Sequence, residues 1–238
     1  MYLYGKNSVS ERLRKNPKSI RKIFLENNFH DGRLLSAVRS SGVPSERVSE
    51  KTLLKIKRAD RLQGIAALTD DFRYTPFEEL VERGAREKRS LIFIEGLNDP
   101  HNLGSMMRSA ACFGGFGIVI PRHKSCAVND TVVHVASGGE NFVPVSSVKN
   151  ISNALIKAKD KGYWVAGAVV EAGEDIRKVS FPFPLCLVLG SEGGGIRPGV
   201  QKRLDIRVSL PMRGAALSFN VAMAAAVFCY EITKQKHT

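Results

Sequence analysis

Three stretches of this chain place asparagine, arginine, glutamate or serine where an apolar run gives way to a helix. Side chains of those types can orient a hydroxyl, bind a phosphate or move a proton. The first is Gly96-Leu-Asn-Asp-Pro-His-Asn-Leu-Gly-Ser-Met-Met-Arg, directly after the apolar run ending at Glu95. With a helix starting near Asn102, Arg108 follows under two turns later, and an arginine can reach phosphate or ribose oxygens at the strand ends from there. Asn102 as an N-cap and Arg108 as a solvated helical residue fit the same spacing. The second is Gly190-Ser-Glu-Gly-Gly-Gly-Ile-Arg-Pro-Gly, with five glycines in ten residues and Glu192 among them. Such a loop lets backbone amides approach a ligand closely, or is simply a flexible turn. It matches neither G-x-G-x-x-G nor G-x-x-x-x-G-K-[ST], so an ordinary dinucleotide or nucleoside triphosphate site is not expected. The third runs from Leu210-Pro-Met-Arg-Gly to Ser218-Phe-Asn-Val-Ala, where Ser218 and Asn220 enter an alanine-rich helix. Ser218 and Asn220 there are candidate helix caps. Ala222 and Ala224–Ala226 suit helix propensity and close packing, including packing at a subunit interface.

These loops need rigid elements behind them, and the sequence pattern supplies an α/β alternation. Strands are expected over Ser90–Glu95, Gly117–Ile120, Tyr163–Val169, Leu185–Leu189 and Asp205–Leu210. Helices are expected over Asn102–Phe113, Asp130–Ser137, Ile151–Lys161 and Ser218–Lys234. Uninterrupted apolar strands such as Leu185-Cys-Leu-Val-Leu suit a parallel sheet covered on both faces. All three loops then leave the carboxyl ends of strands, where open α/β sheets bind ligands.

Upstream, helices over Asn7–Arg14, Asp31–Ser40 and Glu50–Ile56 alternate with strands over Ile20–Leu25, Val43–Val48 and Gly64–Leu68, a small α/β sandwich. Between the modules Thr75-Pro-Phe-Glu reads as a capping box opening a short helix to about Arg83. The expected division is residues 1–70, a connecting segment with a short helix over 71–88, and a larger module over 89–238.

The chain carries 36 Lys+Arg against 23 Asp+Glu, a formal charge of +13, which points to a polyanionic partner. Residues 1–68 hold +9 of it, so the first module is the basic one. Arg12, Arg14, Lys15, Arg21 and Lys22 are candidate phosphate contacts, which supply affinity rather than choice of nucleotide. No apolar run approaches the roughly 18 residues of a membrane span. The start, Met1-Tyr-Leu-Tyr-Gly-Lys, lacks a secretory pattern. Cys112, Cys126, Cys186 and Cys229 show no metal-binding spacing, so reduced thiols in a cytoplasmic protein without metal are expected.

Together, Asn102-x-Gly104-x-x-x-Arg108, Gly190-x-Glu192-Gly193 and Pro211-Met212-x-Gly214-x-x-x-Ser218-x-Asn220-Val221-Ala222 resemble, in order and spacing, the three motifs of the SpoU (TrmH-like) RNA 2′-O-ribose methyltransferases. Phe219 stands where leucine is commoner in that pattern. Tyr4-Gly-Lys-Asn-Ser-Val and Gln63-Gly64-Ile-Ala are similar to the L30e-like substrate-binding domain of such enzymes, although leucine precedes Gln63 where histidine is frequent. The resemblance implies an α/β fold with a C-terminal trefoil-knotted methyltransferase domain, a homodimer that completes the active site, and S-adenosylmethionine as cofactor. By motif position Gly190, Leu210, Phe219, Met212 and Gly214 would contact the cofactor, with Ala168 or Val169 beside them. Arg108 would clamp the target phosphate and ribose or activate the 2′-hydroxyl. Asn102 would orient Arg108 or the ribose, Glu192 would orient Arg108 or take the proton through water, and Ser218 and Asn220 would hold the nucleotide and the cofactor loop. A guanosine of large-subunit rRNA is the expected target, with tRNA or a catalytically silent RNA-binding or ribosome-assembly role as the alternatives.

Overall fold

The computed structural model describes residues 1–59, 61–191, 193–214 and 218–236. The chain runs β1 (Tyr2–Tyr4), α1 (Lys6–Lys15), β2 (Ile20–Glu26), α2 (Gly32–Ser41), β3 (Ser45–Val48), α3 (Glu50–Ile56) and β4 (Ile65–Thr69). It continues with α4 (Phe77–Arg86), β5 (Ser90–Ile94), α5 (Pro100–Phe113), β6 (Phe116–Pro121), α6 (Asp130–Ala136), β7 (Val145–Val148), α7 (Ile151–Asp160) and β8 (Trp164–Ala168). Last come β9 (Glu174–Asp175), β10 (Leu185–Leu189), α8 (Pro198–Gln201), β11 (Ile206–Ser209) and α9 (Val221–Lys236).

Among the described residues the strands form two sheets, ordered β1-β4-β2-β3 and β7-β6-β5-β10-β8-β11-β9. In the small sheet the alternation of side chains decides the layers. Ile23, Leu25, Ile65 and Ala67 pack with Val9, Leu13, Leu34 and Val38 of α1 and α2. Phe24 and Ala66 turn the other way, toward Leu53 of α3. Every pairing in the large sheet is parallel. Ile92, Ile94, Leu187 and Leu189 face α5, α6 and α9, while Leu91, Phe93, Cys186 and Val188 face α4, α7 and α8. Burial on both faces explains why these strands read as unbroken apolar runs.

The helix starts differ from expectation in instructive ways. Asn102 is not a cap: Asp99 caps α5, its side chain accepting from His101 N, and Pro100 takes the first helical position. The Thr75 capping box does not form, because α4 starts at Phe77 with Pro76 at the cap position and no side-chain cap bond. Phe77, Leu80 and Val81 then pack with Leu91 and Phe93, so α4 belongs to the large sheet's core. Strands β1, β7 and β9 and helix α8 were not expected. Tyr2–Tyr4 and Glu174–Asp175 are too short to show a period, and Val145-Ser-Ser-Val hides a buried Ser146.

Helix α6 joins the two modules. Asp130 accepts from Tyr2 N at 3.1 Å and from Lys57 Nζ at 2.6 Å. The His134 ring stacks on Tyr4 at 4.0 Å. Arg12 overturns its reading as a phosphate contact: it is buried, donating to Glu140 Oε1 and Ser19 Oγ at 3.2 Å each. Burial raises the Glu140 carboxyl above its ordinary pKa, and the Arg12 charge opposes that only in part. Among the described residues no helix is long and apolar enough to cross a membrane.

Candidate active site

The carboxyl ends of β8, β10 and β11 open onto a cavity of about 620 Å³. Its walls come from Ala168–Val170, from Leu189, Gly190, Ser191, Gly193 and Gly195, and from Leu210, Met212 and the stretch from Ser218 into the second turn of α9. The volume lies within the roughly 300–1,000 Å³ of small-molecule sites. Ala168, Val169, Gly190, Leu210, Met212 and Phe219 all line it, as do Ser218 and Asn220. Gly214 does not, and Glu192 lies outside the described residues. Val170, Ser191, Gly195, Ala224 and Phe228 are lining residues that the motif spacing did not point to.

Each segment is held for a local reason. Ser191 and Gly195 exchange backbone hydrogen bonds at 3.0 Å, folding the glycine loop back on itself. A Cβ at Gly190 would then lie 2.4 Å from the Gly195 carbonyl carbon, so only glycine fits. The far end of that loop is pinned by Glu95, buried at the end of β5, which accepts from Arg197 N at 2.8 Å and from Arg197 Nε. Neither Glu95 nor Arg197 was singled out from sequence. The signal was available, because a glutamate ending a wholly apolar strand needs a partner when buried.

Asn220 joins the third loop to the first. Its Oδ1 accepts from Ala222 N at 2.9 Å and Met223 N at 3.3 Å, which makes it the cap of α9. Its Nδ2 donates to Oδ1 of buried Asn102 at 3.0 Å. Of the two residues expected at the helix cap, Asn220 takes that role. Ser218 is exposed and makes no hydrogen bond among the described residues. Gly104, one turn along α5, explains the motif glycine: a Cβ there would lie 2.7 Å from the Val132 carbonyl oxygen of α6.

Arg108 is not brought to Asn102, Ser218 or Asn220. Six residues of helix turn it about 120° from Asn102 and carry it about 9 Å along the axis. It is exposed, in a crevice of about 380 Å³ shared with Asn7, Ser10 and Glu11 of α1 and with the Gly138-Gly139 turn. Its guanidinium makes no hydrogen bond or ion pair among the described residues. Of the other basic candidates, Arg14, Arg21 and Lys22 pair with Glu11, Asp70 and Glu46, and Lys15 sits 4.8 Å over the Phe142 ring. Among the described residues no cluster of three or more His, Cys, Asp or Glu is placed to hold a metal ion.

Comparison with known proteins decides what this arrangement belongs to. Residues 89–230 match the SpoU rRNA methylase family, and residues 2–75 match the substrate-binding domain of RNA 2′-O ribose methyltransferases. The chain belongs to the SpoU rRNA methylase family. Two relatives within it are named 23S rRNA (guanosine-2′-O-)-methyltransferase RlmB. The one from Nitrosomonas europaea is 35% identical, covering 98% of this chain and 91% of its own. The one from Ralstonia nicotianae is 34% identical, covering 98% and 95%. The SpoU methyltransferase AviRb of Streptomyces viridochromogenes, solved in complex with AdoMet, superposes with a TM-score of 0.82 at 20% identity, covering 100% of this chain and 90% of that one. A likeness at that identity shows the shared fold. The methyl donor of the SpoU methylases is S-adenosylmethionine.

Proposed function

We propose that this SpoU methylase transfers a methyl group from S-adenosylmethionine to the ribose 2′-hydroxyl of a guanosine in 23S rRNA, the reaction its RlmB relatives are named for. The observation that carries the reading is the cavity at three strand ends, walled by two of the three loops that hold the family's motifs. Its residues suit the cofactor. Val169, Leu210 and Phe219 offer apolar surface to an adenine, and the backbone of the Gly190 loop, stripped of side chains at its tightest point, offers amides and carbonyls to polar groups. Bound there, the cofactor supplies an electrophilic methyl carried on a sulfonium.

This chain's own residues do the rest by position and charge. Asn102 and Asn220 fix the start of α9 against α5 and so set the depth of the pocket. A guanidinium stays charged at any ordinary pH, so Arg108 serves as a clamp on phosphate and ribose that stabilises developing alkoxide charge rather than as a base. The hydroxyl proton leaves to water. Holding the ribose oxygen in line with the methyl supplies most of the rate.

Arg108 reaches such a pocket across a homodimer. Met223, Val227 and Tyr230 form an exposed apolar stripe along α9, 66%, 44% and 57% exposed, and Phe219 continues it at 52%. Insertion of β10 between β5 and β8, with α9 returning to α5, supports a trefoil knot around the pocket. Residues 1–70 form the RNA-binding domain, 71–88 the connection and 89–238 the methyltransferase domain, acting in the cytoplasm on rRNA. Arg108→Ala is expected to lower methyl transfer to transcribed 23S rRNA beyond detection while calorimetry gives wild-type cofactor affinity. Full activity in that variant would overturn the assignment, and a wild-type chain that binds RNA but shows no calorimetric binding of S-adenosylmethionine would be a silent RNA-binding factor instead.

A further inference from the structure

Apart from the motif-lined pocket, a groove of about 800 Å³ lies between the carboxyl ends of β6 and β7, the start of α7 and the segment before α4. Arg122, Lys149 and Lys157 line it with Asn153, and Tyr74 stands in its wall. Only Lys157 is committed, to Glu78 at 2.7 Å. Arg122 and Lys149 are exposed, and neither charged group has a hydrogen-bond or ion-pair partner among the described residues. That separates them from Arg14, Arg21 and Lys22 of the basic domain, each of which spends its charge on a carboxylate.

The Tyr74 ring is 37% exposed and prearranged. Its hydroxyl accepts from Val128 N at 2.9 Å, and Phe72 meets it edge-on at 5.2 Å. Loops beside the groove and beside the motif-lined pocket also meet. The loop that follows Arg122 is tied to the β5–α5 loop by Cys126 N and Ser125 Oγ, both donating to Leu97 O. A Cβ at Gly96 would lie 3.4 Å from Ser191 Cβ and 3.7 Å from Lys124 O, so this loop and the cofactor-side glycine loop meet at one glycine.

We infer that this groove is a second RNA-binding surface, taking a single-stranded segment that flanks the methylated nucleoside. Arg122 and Lys149 contact its phosphates and Tyr74 stacks on one base. Unspent cations beside an anchored aromatic ring are the combination that binds single strands without reading their sequence. The inference rests on the proposed function for the choice of RNA, but its test reads binding and does not need turnover.

The probes are a labelled U12 oligonucleotide and transcribed 23S rRNA, retained on filters over a series of KCl concentrations. Arg122→Ala with Lys149→Ala removes two charges that have no hydrogen-bond or ion-pair partner among the described residues. It is expected to weaken U12 binding about tenfold and to lower the salt slope by about 1.4, the release of two single-strand phosphate contacts. Tyr74→Leu is expected to weaken U12 binding at least about fivefold, a low estimate for one stacked base. Tyr74→Phe loses the same hydroxyl anchor but keeps the ring, and stays near wild type. Cofactor affinity is unchanged in all three. Wild-type affinity and salt slope in the double variant overturn the inference, as does equal loss in the Leu and Phe variants. A double variant that keeps RNA binding but loses a co-purifying protein overturns it in favour of a protein partner. A wild-type chain that binds both RNAs but transfers no methyl group overturns the methyltransferase reading alone, and the loss of binding in the variants still supports the groove.

Discussion

Asn220 holds two things at once, and substitutions there separate them. In Asn220→Ala, α9 loses the side-chain cap on Ala222 N and Met223 N, and Asn102 Oδ1 loses the donor at 3.0 Å. Removing an N-cap costs about 1 kcal/mol. Losing a neutral hydrogen bond at a largely buried amide costs about 1 kcal/mol more. The sum of about 2 kcal/mol corresponds to about 4–8 °C in Tm for a chain of this size. Asn220→Asp keeps an excellent cap but sets a carboxylate oxygen against Asn102 Oδ1, so it loses the tie and retains the cap. Urea melts should therefore rank wild type above Asp, and Asp above Ala. Ser218, Phe219, Val221 and Ala224 all line the cavity around this point, so calorimetric affinity for S-adenosylmethionine should fall in both variants. A double-mutant cycle with Asn102→Ala should give a coupling near 1 kcal/mol. Additive single variants, or an Asp variant with wild-type stability and cofactor affinity, would refute the reasoning.

Gly190→Ala puts a methyl 2.4 Å from the Gly195 carbonyl carbon, so the glycine loop must open. Cofactor affinity should drop at least about tenfold, or 1.4 kcal/mol, by calorimetry, and an unchanged Kd would refute the loop's place in the pocket. Arg12→Ala strands the fully buried Glu140 side chain and should cost about 3–5 kcal/mol in urea melts, whereas replacing both by methionine recovers most of it. A single-variant cost below about 1 kcal/mol would show the pair to be solvated. Burial also raises the Glu140 carboxyl, so the native state keeps that proton to higher pH than the unfolded chain. Stability from this group is full below the ordinary carboxylate pKa and declines as pH rises through the native value, a slope that Glu140→Gln should abolish. For the thiols, burial pushes Cys229 up to about 12 and Cys186 well above its ordinary value, while Cys112 is exposed. A chromogenic disulfide should label Cys112 first and Cys186 and Cys229 only in denaturant, and four fast equivalents in native protein would contradict the burial.

The large sheet was legible because its strands are apolar on both faces, and a run such as Leu185–Leu189 has few other places to go. The small sheet was legible through alternation of Ile23, Phe24 and Leu25. What escaped was local competition for helix starts and pairing at long range. Asp99 outcompetes Asn102 as a cap because Pro100 follows it and presets the first helical residue. Arg12 looked like one more surface cation in a basic helix. It nevertheless stands three residues from Val9 and next to Leu13, on the buried stripe of α1, and its partner Glu140 is 128 residues away in sequence. Charge counts cannot reveal such a pair. A cation on an apolar helical stripe can, because burial without a partner would be prohibitive.

The motif residues divide by what they spend. Gly104 and Gly190 are glycine because neighbouring backbone occupies the Cβ position, and Asn102 and Asn220 use side-chain polarity on each other and on a helix end. Those four residues support the local structure, and any stable fold of this shape has a reason to keep them. Arg108 has no such reason. Its guanidinium supports no neighbour among the described residues, and its place on α5 turns it away from the pocket that the other motifs form. A charge that contributes nothing to the fold is available to a ligand, and phosphate is the ligand a guanidinium matches best. In the dimer we propose, the pocket and the arginine of one protomer are two half-sites. The proposed second copy, docked along the apolar stripe of Met223, Val227 and Tyr230 that begins beside the pocket, would let one RNA strand meet both.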